Sequence, residues 1–285
     1  MEVADVTPPR HDLEAQRTIL SGLLNEQVDA IAIVPLHTTA LNDLLGRHVA
    51  RGTAVITFYA DAPGSGRTLF VGPDAFHSGV LAGEALAKLM GYRGHVWTFP
   101  GPRHEYHLAQ RYDGFRRELE HNPEMSEVAS CPGQDSTPCF VELMRRAGPI
   151  EGISVGSEQI VEVAQALREC KLRIPCVDFT NTGQVQPFVK SGIVSAIVDD
   201  SRPQQGYFAL QKAYEAAIGR GGPAPRGIRT SCSVVLACNM DEAEDGQSLN
   251  DAGLIAPQKM LQEANSRKPC ATSSTALAAT ARSPC

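Results

Sequence analysis

The stretch AVITFYADAPGSGRTLFVGPDAFHSG, residues 54–79, decides the fold. Ala54 to Phe58 is a short apolar run that empties into a loop carrying Tyr59, Asp61, Pro63, Gly64 and Gly66. A second run, Leu69 to Val71, ends in Gly72, Pro73 and Asp74, after which a helical spacing begins. The apolar residues are continuous rather than alternating, the pattern of strands buried on both faces. Gly and Pro let the chain turn tightly after each strand. Asp74 stands where a helix N-cap is preferred; Asp61 either opens a turn or faces a cleft.

Outward from this stretch the pattern repeats. Strand-like runs occur at 29–34, 94–99, 125–130, 151–155, 174–178, 194–198 and 228–236. Amphipathic stretches lie between most of them, as with Leu13, Ile19, Leu20, Leu23 and Leu24. Strand and helix in alternation predict an α/β protein with parallel sheets flanked by helices. In such sheets ligands bind beyond the carboxyl ends of the strands. The loops at 59–67 and 72–74 are then expected on one rim.

Composition narrows the function classes. The 285 residues are 42% hydrophobic and 20% charged, enough for one large core or two lobes. A formal net charge of −6 argues against nucleic-acid binding by this chain. No apolar run approaches the ~20 residues that span a bilayer. The opening MEVADVTPPRHD shows no secretory signal, so the chain as it stands reads as cytoplasmic, and as periplasmic or extracellular if a signal precedes it.

The eight cysteines form no CxxC and have no histidine at zinc-finger spacing, so they read as buried or incidental thiols. His104 and His107, with Glu105 between them, share a helix face, but spacing names no third metal ligand. GPDAFHSG is neither a dinucleotide fingerprint nor a P-loop, and no G-x-S-x-G elbow occurs. Neither a cofactor nor a catalytic residue is expected. Trp97, inside an apolar run, reads as core. Beyond residue 238 the chain loses its apolar period, and 239–285 reads as a disordered or linker tail with one short helix near 257–265.

Taken in order, VDAIAIVP, the 54–79 stretch with its continuation to GVLAGEAL, QRYDGF (110–115), GSEQIVEVAQAL (156–167), VKSGIVSAIVDD (189–200) and QQGYFAL (204–210) resemble the sugar-type periplasmic binding proteins. That family includes solute-binding proteins of ABC transporters and the effector domains of lactose-repressor-like regulators. The resemblance covers about residues 2–238. It implies two lobes, 1–100 plus 203–228 and 101–202 plus 229–238, that close about a small polar ligand, usually a sugar. Transport would imply a membrane permease as partner; the alternative is the ligand-sensing part of a regulator or sensor kinase, with a fused output domain.

The resemblance also implies the contacts. Arg111 falls on an arginine that grips ligand hydroxyls. Tyr59 stands where an acid is usual, with Asp61 matching a second acid. Ser157 and Glu158 replace a frequent Asn-Asp pair, Thr180 replaces an acid, and Asp200 falls near a common glutamine. His104 and Glu105 lie on a loop that the family places in the cleft. Tyr59, Tyr106 and Phe179 are the aromatics near the rims. Finally, the family opens with a central strand that is absent here, Glu2 to Val6 being its second. Either a longer gene supplies that strand or residues 2–6 pair with 29–34, and weakened ligand binding is expected.

Overall fold

A computed structural model describes residues 2–8, 11–130, 150–157, 159–219, 227–241 and 277–280. Twelve strands and seven helices are named among them. In chain order they are β1 (Glu2–Asp5), α1 (Leu13–Leu23), β2 (Ala30–Ile33), α2 (Asn42–Ala50), β3 (Ala54–Phe58), β4 (Leu69–Gly72), α3 (Ala75–Met90), β5 (Gly94–Phe99) and α4 (Tyr106–Glu120). There follow β6 (Met125–Ser130), β7 (Gly152–Val155), α5 (Ile160–Glu169), β8 (Cys176–Asp178), α6 (Gln186–Lys190), β9 (Ala196–Asp199) and α7 (Arg202–Ala217). The last strands are β10 (Gly227–Arg229), β11 (Ser233–Val235) and β12 (Leu277–Thr280).

Two compact units result. The first holds Met1–Gly72, Ser201–Thr230 and β12, with sheet order β1-β12-β2-β3-β4-β10. The second holds Pro73–Asp200 and Ser231–Gly246, with order β11-β9-β8-β7-β5-β6. Neighbouring strands run parallel, except that β12 is antiparallel to β1 and β2, and β11 to β9. The α/β expectation holds. The expected run at 228–236 is two strands, one in each sheet, because the chain leaves the first unit after Thr230.

Core assembly follows the pattern of the sequence. β2, β4, β7 and β9 are buried throughout, as two-sided strands must be. In the first unit, Leu20, Leu23, Ile31, Ile33, Leu45 and Val55 pack on one face; Ala30, Ala32, Ile56, Leu69, Val71 and Ala209 pack on the other. In the second, Trp97 is 1% exposed and sits in the largest cluster, with Phe99, Ile153, Leu167 and Ile197. Asp74 caps α3 by accepting the His77 N–H at 3.1 Å, the role its position suggested.

The first lobe boundary differs from the expected 100–102. The chain enters the second unit after Gly72, so α3 belongs with α4. A close approach of the two helices is the reason. A Cβ on Gly79 would stand 1.9 Å from the Arg111 carbonyl oxygen, and one on Gly114 would stand 2.0 Å from that of Phe76. Each helix offers a glycine to the other's backbone, and the packed pair assorts as one body. The later boundaries of the two units fall after Asp200 and after Thr230.

At the start of the chain, β1 does not pair with the 29–34 strand. Between them lies β12, with Val3 opposite Ala279 and Ala279 opposite Ala30. The tail was read as disordered or linker; most of 239–285, including the expected helix near 257–265, lies outside the described residues. Leu277–Thr280 is a strand and corrects that reading. Four residues of small or apolar type, too short to show a period, gave no signal.

His48 on α2 gives the first unit a pH dependence. Its ring is 1% exposed, and Nε2 donates to the Leu20 carbonyl at 2.9 Å. Burial lowers its pKa below the ordinary 6.5, partly opposed by that bond and aided by Arg51 and Arg47. The unfolded chain therefore takes up a proton before the folded one does. This contribution is complete above the unfolded value and is lost as pH falls below it. Thermal unfolding of the protein is expected at lower temperature at pH 5.5 than at pH 7.5, with a smaller difference in His48→Gln. Equal pH slopes for the two proteins would refute the assignment.

Candidate functional site

In the second unit β9, β8, β7 and β5 are parallel neighbours, so their carboxyl ends share one edge. The chain leaves them at Asp199-Asp200, Asp178-Phe179, Val155-Gly156 and Phe99-Pro100. Two acids, an aromatic ring and small residues are thereby gathered on the edge where open α/β sheets bind ligands.

Into this edge α4 delivers Arg111, 2% exposed. Its Nη2 donates to the Asp200 carboxylate, itself 1% exposed, and its guanidinium carbon lies 4.7 Å from the centre of the Phe179 ring. Desolvating both ions costs several kcal/mol, which their attraction offsets only in good geometry. The ring adds about 2 kcal/mol at a desolvated site of this kind. A small hollow beside the guanidinium is lined by Thr98, Pro100, Leu108, Arg111, Ser154 and Phe179.

Neighbouring loops are fixed by short-range bonds. Buried Asp178 accepts the Thr180 N–H at 2.7 Å, folding the residues after β8 into a turn that seats Phe179. Asn181 Nδ2 donates to Asp199 at 2.7 Å, tying that turn to the end of β9. Ser157 Oγ donates to Gln159 Oε1 at 3.2 Å. Along α4, the Tyr112 hydroxyl donates to both Glu127 oxygens at 2.9 Å, and burial, with Glu127, pushes its pKa up. The Cys232 sulfur lies 3.0 Å from Ser78 Oγ, and its thiol is raised chiefly by burial.

The first unit has its own rim loop after β3. Asp61, 4% exposed, accepts from Thr57 Oγ1 and from the Ala62 N–H, both at 2.8 Å, and pairs with the Arg67 fork through Nε and Nη2. This carboxylate organises its own loop. Tyr59 adopts a left-handed φ of 62°, and the Arg202 guanidinium carbon lies 4.6 Å from its ring centre.

The structure therefore joins Arg111 to Asp200 directly and places Ser157 and Thr180, both half-buried, on the same edge. Glu105 stands at the N-cap position of α4 without a side-chain capping bond, half-buried and 3.8 Å from His107; His104 is exposed. Tyr59 and Asp61 belong to the first unit, and Glu158 lies outside the described residues. Sequence reasoning missed Arg67, Arg202, Asp178 and the Asn181–Asp199 pair. Only the acid runs at strand ends, Asp178 and Asp199-Asp200, carried a signal for them. Among the described residues no group of three or more His, Cys, Asp or Glu could hold a metal ion, and no helix is long and apolar enough to cross a membrane.

Known proteins share this architecture. A solute-binding protein of an ABC transporter from Burkholderia graminis, solved in complex with D-arabinose, superposes with a TM-score of 0.77 at 22% identity, over 82% of this chain and 84% of that one. An arabinose-binding protein from Geobacillus stearothermophilus gives 0.70 at 25% identity, over 82% and 85%. A periplasmic solute-binding protein from Actinobacillus succinogenes with bound D-allose gives 0.75 at 18%, over 83% and 86%. Among curated proteins none matches significantly. These likenesses give the fold, two units each built on a mostly parallel sheet flanked by helices. The sequence itself supplies the family: residues 2–221 match the profile described as periplasmic binding protein domain, and the chain belongs to that family.

Proposed function

We propose that the chain binds a small polar ligand of carbohydrate type, performs no chemistry on it, and delivers it to a membrane permease. The reading is carried by the buried Arg111–Asp200–Phe179 cluster at the carboxyl edge of the second unit. Sugar hydroxyls both donate and accept, so a guanidinium and a carboxylate held side by side offer complementary partners to adjacent hydroxyls once the cluster opens to them. An aromatic face suits the C–H face of a pyranose. Structural relatives solved with D-arabinose and D-allose support a monosaccharide.

In this reading Arg111 and Asp200 orient the ligand, with Ser157, Glu158, Thr180, His104 and Glu105 as further polar contacts. Within the first unit, Tyr59 and Asp61 remain candidate contacts on the loop after β3, which Arg67 holds through Asp61. Calorimetric titration with D-arabinose, D-allose, D-galactose and D-glucose, carried to millimolar concentration with L-leucine as control, tests it. Saturable binding of at least one sugar is expected. Arg111→Lys, which keeps the charge but loses the planar fork, is expected to weaken that binding about tenfold or more. Absence of binding across the panel, or unchanged affinity in Arg111→Lys, would overturn the reading.

A further inference from the structure

The inner position between β1 and β2 is filled from far along the chain, and three observations bear on how it is filled. First, β12 is paired on both sides, with Glu2 to Asp5 opposite Thr280 to Leu277, and with Ala32 to Ala30 opposite Leu277 to Ala279. Second, among the described residues β1 ends the sheet with β12 as its one sheet neighbour, so its pairing there rests on that strand. Third, among the described residues the two cores of this unit are built from α1, β2, α2 and β3 on one face and from β2, β3, β4 and α7 on the other. Those cores do not draw on β1.

A strand of four residues, Leu-Ala-Ala-Thr, joined to Asp241 only through residues 242–276, thus closes the gap between β1 and β2. Each face of the gap offers a row of backbone donors and acceptors that an extended segment can pair. A strand this short, brought in from far along the chain, is a candidate for local opening at a free energy below that of global unfolding. An incoming strand would gain the same main-chain bonds, as in other cases of strand addition to a sheet.

We propose that the gap between β1 and β2 is a strand-acceptor site for an extended peptide of small and apolar residues in antiparallel register, and that Leu277–Thr280 of the same chain is its resident, exchangeable occupant. This site lies in the first unit and does not depend on what the second unit binds. Specificity follows from the register. The entering segment carries no proline, since both its edges are inner edges of the sheet.

The full-length chain carrying Ala279→Pro tests the idea, because proline removes a ladder donor from an inner strand. Hydrogen exchange at Glu2–Asp5 is expected to accelerate about tenfold or more, while β3, paired with β2 and β4, keeps its protection. A synthetic peptide spanning residues 275–282, added at millimolar concentration, is expected to restore protection at Glu2–Asp5; the same peptide with proline at 279 is not. Unchanged exchange in the variant, or no rescue by the peptide, overturns the proposal.

A second measurement does not require the proline variant to fold. Ala4 and Ala278 are directly opposed, at a separation that a disulfide can bridge. In full-length Ala4→Cys/Ala278→Cys, mild oxidation is expected to link the two positions within one chain, identified by mapping the linked peptides. Excess free peptide is expected to lower the yield. No link, a link only between two chains, or a yield indifferent to the peptide would each refute it.

Discussion

Replacing Arg111 by alanine is expected to destabilise the second unit by about 3–5 kcal/mol, the cost of stripping a buried carboxylate of its guanidinium. Asp200 is 1% exposed and cannot recover by hydration. The Phe179 ring loses its cation at the same time, and the hollow beside it gains the volume of the missing side chain. The unfolding temperature should fall by about 10 °C. Removing both charges, as Arg111→Ala/Asp200→Ala, is expected to cost less than Arg111→Ala alone, since an uncompensated charge is worse than an apolar replacement of the pair. Urea unfolding of the three proteins decides the matter. A double variant less stable than the single one would show that the pair does not act as described.

The pair was half legible. Arg111 was found because QRYDGF fixed its family position, and Asp200 because the same resemblance set it near a common glutamine. Their contact was not, because residues 89 apart meet only through the sheet order, which no local pattern contains. Strand after strand was readable for the opposite reason: burial on both faces writes a continuous apolar run into each one. Arg67 was missed because its partner Asp61 is six residues away within one loop, where spacing has no period. β12 was missed because LAAT carries no amphipathic signature and owes its conformation to two neighbouring strands. The lobe boundary was misplaced by a helix because glycines inside a helical pattern usually signal only a propensity cost.

Those glycines carry the second large effect. Gly114→Ala is expected to destabilise the protein by about 3 kcal/mol although alanine is the better helix former. The new Cβ would lie 2.0 Å from the Phe76 carbonyl oxygen, 2.9 Å from its carbon and 3.1 Å from the Val80 nitrogen. All three are backbone atoms of α3 and cannot rotate aside, so the helices must separate. Arg111 lies one turn before Gly114 on α4, and its carbonyl oxygen meets the reciprocal glycine, Gly79. Separation therefore also shifts the guanidinium against Asp200. Gly206→Ala on α7 is the matched control: the same atoms are added within a helix, with nothing within 4 Å of the new Cβ. That variant is expected to gain about 0.5–1 kcal/mol, from the unfolded state alone. Opposite signs for one chemical change, measured by urea unfolding, separate helix–helix contact from helix propensity; a stabilised Gly114→Ala would mean that α3 and α4 do not meet at their backbones.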